Sequence, residues 1–471
     1  MLTTNPVVSR VLSGILSEQT EESFARMRKR RTDVPRGPAL PHALQLTEWV
    51  ANPIAFLRAC QERFGSVFTV QFPQSPLFVM FSDPNAIKEI FTSDVEDLRA
   101  GQANIILEPV LGKHSLLLLD GAEHLRERRL LMPSFHGERM QAYVRVMRDL
   151  TQAAIKTWKR GEPMRVHPEA QAITLDVIVH TIFGVDESEG VGKLRDTLKS
   201  LLNIGSNPLL LMPMFQHDLG RLSPWGRVAI LKRKVDAELF ALIAAARVRN
   251  REGREDILSM LIDARDETGR ALSDRELHDE MITMLIAGHE TTATTLSWMF
   301  HWLSQRPDIQ EELRAEIEQV TGGAPLQAGH IAGLKLLDAV CKETMRLSPV
   351  VPVVGRHLAR PMTIGGHDLP EGAIATPCIY LTHRNPAYWP NPDEFDPQRF
   401  MDTRINPYAY LPFGGGARRC IGLAFATMEM KVVMATVLGA IRFRKVPGEE
   451  TRTVRRGVTF VPSNGMPVII E

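Results

Sequence analysis

From Phe64 the chain alternates apolar and polar residues twice, in FGSVFTVQF and SPLFVMFSD, and turn signals bound each run. Period-two alternation of that length predicts two strands of a small sheet. From about Pro84 the period becomes helical. Runs with charges on one face and Leu, Ile, Met and Val on the other cover Gly121 to Arg148, with a break at Pro133, then Val228 to Arg249, then Asp274 to Gln305. The third predicts a helix of about 32 residues, roughly 48 Å long. It begins at SDRE, where Ser273 can cap and Glu276 can close a capping box, and it stops before Pro307.

After the helix containing Cys341, the stretch HLARPMTIGGHDLPEGAIATPCIYLTHRNP predicts short strands and turns, and GLAFATMEMKVVMATVLGAI predicts an apolar helix near the end. VPRGPALP, Val34 to Pro41, separates an N-terminal arm, residues 1–33, from a body at 34–471. With no repeat and no Gly/Ser linker, the pattern predicts one mainly α domain with a small β part.

Composition narrows the partners. The 471 residues are 44% hydrophobic and 24% charged, as in a globular chain with a large core. Lys plus Arg number 56 against 55 for Asp plus Glu, so no global field selects nucleic acid. The four cysteines, Cys60, Cys341, Cys378 and Cys420, form no CxxC, which argues against a disulfide framework or zinc knuckle and for a reducing, cytoplasmic setting. The apolar residues of the N-terminal arm fall short of the roughly 20 that span a bilayer, so no transmembrane anchor is expected.

Four constellations carry candidate chemistry. In FGGGARRCIG, Phe413 to Gly422, a lone cysteine stands at a helix N-terminus beside Arg418 and Arg419, a setting that favours thiolate. Its glycines allow backbone to pass close to something large and flat. A phosphate loop is excluded, because no GKS or GKT follows. In AGHETT, Ala287 to Thr292, small residues and threonines interrupt the long helix. Thr291 can bond back to a carbonyl one turn earlier. HETTA lacks the second histidine of a zinc protease. ETMR places Glu343 and Arg346 three apart on one helical face, and DPQRF supplies Arg399. DGAEHLRERR places His124 and Arg128 four apart.

Together these motifs, in this order over almost the whole chain from about Pro35, resemble the cytochrome P-450 family, soluble bacterial type; FGGGARRCIG matches its FxxGxRxCxG signature without a mismatch. The resemblance implies a single-domain fold with haem b between the long central helix and the cysteine-loop helix. It implies Cys420 as proximal thiolate on iron, Gly416 and Gly422 permitting close approach, and Phe413 shielding the sulfur. His124, Arg128, Arg356 and Arg418 would meet the haem propionates. Glu290 and Thr291 would manage protons during dioxygen activation. Glu343, Arg346 and Arg399 would be structural. One departure appears: Gln398 stands where the family often has Glu.

The implied reaction is insertion of one oxygen atom into a C–H or C=C bond, driven by two electrons. The chain has no flavin, nicotinamide or iron–sulfur fingerprint, so a separate ferredoxin or flavodoxin with its reductase is expected. Arg126, Arg129, Arg419 and Lys431 are candidates for its docking face. Candidate pocket walls are Ser206 to Phe215, Ala103 to Gly112 and Val458 to Ser463. They are apolar, pointing to a hydrophobic substrate of the fatty acid, terpenoid, steroid or macrolide class. Two rivals make different predictions: a haem-thiolate isomerase or peroxygenase turns over without an electron donor, and a haem-binding sensor does not turn over.

Overall fold

The computed structural model describes residues 34–471 apart from 136–138, 185–188, 206, 208–209, 211–215, 250–253, 255 and 402–403. The N-terminal arm and all but Asn207 and Leu210 of the 206–215 wall candidate therefore lie outside the described residues.

Helices α1 (His42–Ala51) and α2 (Pro53–Phe64) lead into β1 (Val67–Gln71) and β2 (Leu77–Phe81), the two strands that alternation predicts. They pair antiparallel from Val67↔Phe81 to Gln71↔Leu77, and β1 buries every second residue against the sheet's apolar side. Next come α3 (Pro84–Thr92), which Asp83 caps, and β3 (Leu98–Arg99). The break at Pro133 is present: α4 (Gly121–Leu131) passes through a 3₁₀ turn, Met132–Phe135, and α5 (Arg139–Ile155) follows. Proline supplies no N–H and cannot continue the α ladder. The middle of the chain is β4 (Pro163–Arg165), α6 (Val166–Phe183), α7 (Glu189–Gly205), α8 (Pro224–Val248), α9 (Ile257–Asp263), α10 (Asp274–Leu303), α11 (Pro307–Thr321) and α12 (Lys335–Leu347). Short strands β5 (Arg356–Leu358), β6 (Met362–Ile364), β7 (His367–Leu369) and β8 (Ile374–Pro377) then precede α13 (Leu423–Ala440), and β9 (Phe443–Lys445), β10 (Thr453–Arg456), β11 (Thr459–Pro462) and β12 (Pro467–Ile470) finish the chain.

The largest sheet has the order β1-β2-β8-β5-β3, with β2 and β8 parallel, so strands from the two ends of the chain share one ladder. Strands β4, β12 and β9 form a second sheet, and β6–β7 and β10–β11 are hairpins.

Helix α10 is the axis of the molecule. The expected capping box is closed: Ser273 Oγ accepts from the Glu276 N–H at 3.2 Å, and the Glu276 carboxylate accepts from the Ser273 N–H at 2.7 Å. The helix packs on α6 above all, and on α8, α12 and α13. Its crossing with α6 is tight at Gly288, where a Cβ would come within 3.2 Å of Ile178 Cδ1. Every residue from Glu276 to Leu285 and from Thr292 to Phe300 is buried. Each large apolar side chain in those runs contributes about 1.5–3 kcal/mol by leaving water. Among the described residues, α13 alone is long and apolar enough to cross a membrane; here it packs against α5, α10, α11 and α12.

Candidate active site: the cysteine loop and the helix it faces

The loop before Cys420 is shaped by its glycines. Gly414 and Gly416 have φ of +67° and +66°, the left-handed region that side chains disfavour. A Cβ on Gly415 would strike the Phe91 ring at 2.4 Å, and one on Gly416 the Phe91 carbonyl at 2.3 Å. Gly415 and Gly416 are thus small to let α3 pack beneath the loop. Gly422 is different. A Cβ there would find only Cys420 Sγ, 4.0 Å away, so this side of the sulfur stays clear.

The Cys420 N–H donates to the Phe413 carbonyl at 3.0 Å, while the Phe413 ring is half-buried against the main core. The Cys420 side chain is exposed, although set deep among protein atoms. That depth pushes its thiol pKa up and outweighs the Gly422 N–H and the charges of Arg128 and Arg419, which pull it down. In the protein alone, the expected preference for thiolate is therefore overcome by desolvation.

Two otherwise buried helices that pack on each other each have an opening. On α10, Ala287 is exposed and Thr291, one turn on, is half-buried, between two runs of wholly buried residues. Thr291 Oγ1 donates to the Ala287 carbonyl at 2.6 Å, the back-bond that the sequence allows. On α13, Leu423, Ala424 and Ala426 of the first turn are only half-buried although apolar. An apolar opening of this kind inside the core calls for an apolar occupant.

Four basic residues cluster at the same loop. His124 is buried and its pKa falls to about 3, first through burial and then through the charges of Arg418, Arg128 and Arg356. Burial and Arg418 likewise lower Arg356, to about 10. Asp120 opposes this for Arg356 and Arg418, and it already binds Arg418 and the N–H groups of Gly101 and Gln102. Arg418 is further held by the carbonyls of Leu116 and Leu119. Among the described residues, three arginines with one carboxylate set against them leave positive charge uncompensated, a costly state that two further carboxylates would relieve.

Glu290 does not join this group. Its Oε2 accepts from Gln171 Nε2 at 2.7 Å, and its Oε1 lies 3.5 Å from His167 Nε2 and 3.6 Å from Arg456 Nε. It therefore faces α6 and β10. Burial pushes its pKa up, but His167, Arg456 and His289 outweigh this and hold it down at about 2. Gln171, His167 and Arg456 carry no signal in the sequence.

The ETMR pair is fully buried. Arg346 meets Glu343 at 2.6 and 2.8 Å and donates to the carbonyls of His383, Pro392 and Glu394, while Arg399 lies 3.4 Å from Glu343. His383 accepts the Leu411 N–H at 2.7 Å, which carries this network to the segment just before Phe413. Gln398 contributes backbone groups, its N–H to Asp396 and its carbonyl to the Met401 N–H. Of the residues suggested for a docking face, Arg126 is ion-paired with Glu127, Asp266 and Glu276, Lys431 with Asp338, and Arg129 with Glu267; Arg419 is exposed. As a free basic patch the set is reduced. Of the pocket walls, Ile105 is exposed and Ile106, Leu107 and Val110 are half-buried, whereas Thr459–Pro462 is core, leaving Val458 exposed at the hairpin turn.

A sulfur ligand, an apolar slot and unbalanced cations at its edge suit a flat apolar body that brings a metal and two carboxylates, which is haem; the class is that of haem-thiolate proteins. Residues 33–467 match the cytochrome P450 family model, and the chain belongs to that family. It is 37% identical over 439 residues to a protein of Mycobacterium tuberculosis (strain ATCC 25618 / H37Rv) assigned as cytochrome P450 135B1, covering 93% of this chain and 91% of that one. Another protein of that strain, assigned as cytochrome P450 137, is 35% identical over 95% of this chain and 94% of its own length. Among solved structures, cyanobacterial CYP120A1 with retinoic acid bound superposes with a TM-score of 0.82 at 26% identity, covering 93% of this chain and 99% of that one. The haem domain of cytochrome P450DA shares the fold, with a TM-score of 0.80 at 23% identity over 93% and 96%. The protein is a haem b monooxygenase.

Proposed function

We propose that this cytochrome P450 hydroxylates or epoxidises a hydrophobic small molecule of the fatty acid, terpenoid, steroid or macrolide class, in the cytoplasm. The observation that carries the site assignment is the convergence of exposed Cys420 with three arginines and neutral His124 at the head of α13, which packs on α10. Bound haem supplies reductive activation of dioxygen, favoured by a thiolate ligand.

In this reading Cys420 holds the iron, its N–H tied to Phe413 and its sulfur left clear by Gly422. His124, Arg128, Arg356 and Arg418 bind the propionates. Ala287 is small enough to leave room beside the iron. Thr291 spends its proton on the Ala287 carbonyl and so offers acceptor lone pairs to the opening. Glu290, ionised and held by Gln171, can accept a proton where it stands; to deliver one towards Thr291 its side chain must leave that network.

The substrate class rests on exposed Ile105 and half-buried Ile106, Leu107 and Val110, apolar side chains on the segment that packs beside α10. It also draws on the structural neighbour with retinoic acid bound, a long apolar chain ending in a carboxylate. Separate electron donors, a ferredoxin or flavodoxin with its reductase, complete the proposal. The four cysteines form no disulfide among the described residues, which suits a reducing compartment.

The test has two stages. The ferric protein is titrated with fatty acids, terpenes, steroids and macrolides while the spin state is followed, and the tightest class is then turned over with NADPH, ferredoxin and reductase. A spin shift followed by an oxygenated product supports the reading. Turnover without reductant favours an isomerase or peroxygenase, and failure of all four classes overturns the substrate assignment.

A further inference from the structure

The segment from Gly101 to Asp120 contains only single helical turns, yet carboxylates hold it at both ends. At one end Asp120 accepts from the N–H groups of Gly101 and Gln102 at 2.8 and 2.9 Å. At the other, Asp279 of α10 accepts from the His114 N–H at 3.0 Å. The second Asp279 oxygen lies where a Cβ on Gly112 would be only 2.2 Å away, and Gly112 has φ +83°. Both facts demand glycine there. One turn further along α10, Thr283 donates to Ser115 Oγ at 2.7 Å. The apolar wall residues, exposed Ile105 and half-buried Ile106, Leu107 and Val110, lie between these anchors.

Asp279 is itself held. His278, 1% exposed, places Nδ1 2.8 Å from Asp279 Oδ1 and Nε2 2.9 Å from Asp236 Oδ1 on α8, and its ring stacks on Phe240 of α8 with centroids 4.5 Å apart. A carboxylate only accepts, so both ring nitrogens must donate and the ring is an imidazolium. Burial lowers its pKa, but the bonds to Asp236 and Asp279 raise it by more. Lys232 also binds Asp236, so the second carboxylate is held from two sides. With Oδ1 of Asp279 taken by His278, Oδ2 is left aimed at the His114 N–H.

We propose that His278 is a positioning residue for substrate selection: it sets the orientation of Asp279, ties α8 to α10, and through Asp279 fixes where the 103–112 wall sits on the central helix. No pattern around His278 suggests it, because its partners come from a helix 42 residues earlier and a loop 165 residues before Asp279. The inference rests on residues 103–112 being a wall of the substrate space.

Two azoles separate the wall from the iron. Imidazole and clotrimazole both ligate haem iron through nitrogen, but only clotrimazole carries a bulky apolar body to meet the walls. In the haem-loaded protein, His278→Gln places its NH2 at one carboxylate and leaves an acceptor oxygen facing the other, where His278 donates from both ring nitrogens. It is expected to weaken clotrimazole binding about tenfold in a difference-absorbance titration and to change imidazole binding less than about twofold. Deuterium uptake at residues 103–119 should quicken in the same variant. Gly112→Ala, which pushes the wall off Asp279 from the other side, should show the same selective loss and serves if His278→Gln does not fold.

Ile106→Ala tests the wall itself: unchanged clotrimazole binding there overturns the wall reading and the inference with it. Weaker clotrimazole binding in Ile106→Ala, with no selective loss in His278→Gln or Gly112→Ala, overturns the inference alone.

Discussion

The Arg346 guanidinium meets both oxygens of Glu343, at 2.6 and 2.8 Å, and neither side chain has any exposed surface. Every remaining bond of Arg346 goes to a backbone carbonyl, so the pair braces the segment that leads to the cysteine loop. Removing one partner strands a buried charge at about 3–5 kcal/mol. Arg346→Leu and Glu343→Leu are each expected to lower the thermal midpoint sharply and to yield protein that retains little haem. A variant that keeps wild-type haem content would remove the bracing role.

Cys420 is small and exposed, so Cys420→Ala should leave the fold intact by circular dichroism. The carbon monoxide complex of the reduced variant is expected to lose the absorbance typical of thiolate-ligated haem. An unchanged spectrum would disprove the ligand assignment.

Arg128 and Arg356 repel their basic neighbours until carboxylates arrive. Replacing either with Leu should therefore stabilise the haem-free protein in urea unfolding, yet speed haem transfer to apomyoglobin by about tenfold, because a charged hydrogen bond is lost. Equal haem retention in both variants would argue against propionate binding.

Glu290 titrates at about 2 in the folded protein, below its ordinary 4.5. A depressed carboxylate stabilises in full above the unfolded value and loses that contribution as pH falls from about 4.5 to about 2. The shift corresponds to on the order of 3 kcal/mol at pH 7. Wild type should exceed Glu290→Gln in urea stability at pH 7, and the gap should narrow as the pH is lowered past 4.5. A gap that is constant with pH would mean that the network does not depend on the charge.

Thr291→Ala removes the hydroxyl that faces the opening. With reconstituted electron donors, product formed per NADPH should fall by about tenfold or more while hydrogen peroxide rises. Fully coupled turnover in the variant would take Thr291 out of proton handling.

Much of this protein is legible in short windows of its chain. The Ser273 cap, the two N-terminal strands, the break at Pro133 and the Thr291 back-bond are formed by residues at most a few positions apart or by local alternation. The structure has each of them. Helix α6 is less visible. Twelve of its 18 residues are buried, so no polar stripe marks a helical period.

By itself the sequence determined the family, the cysteine at its helix start and the paired charges of ETMR, because those depend on residue type at fixed local spacing. Long-range packing is what makes Gly415 and Gly416 leave room for Phe91, turns Glu290 towards Gln171 and His167, and sets His278 between Asp236 and Asp279. In each case the partner lies far along the chain, and a side chain's charge and orientation follow from which groups packing brings to it.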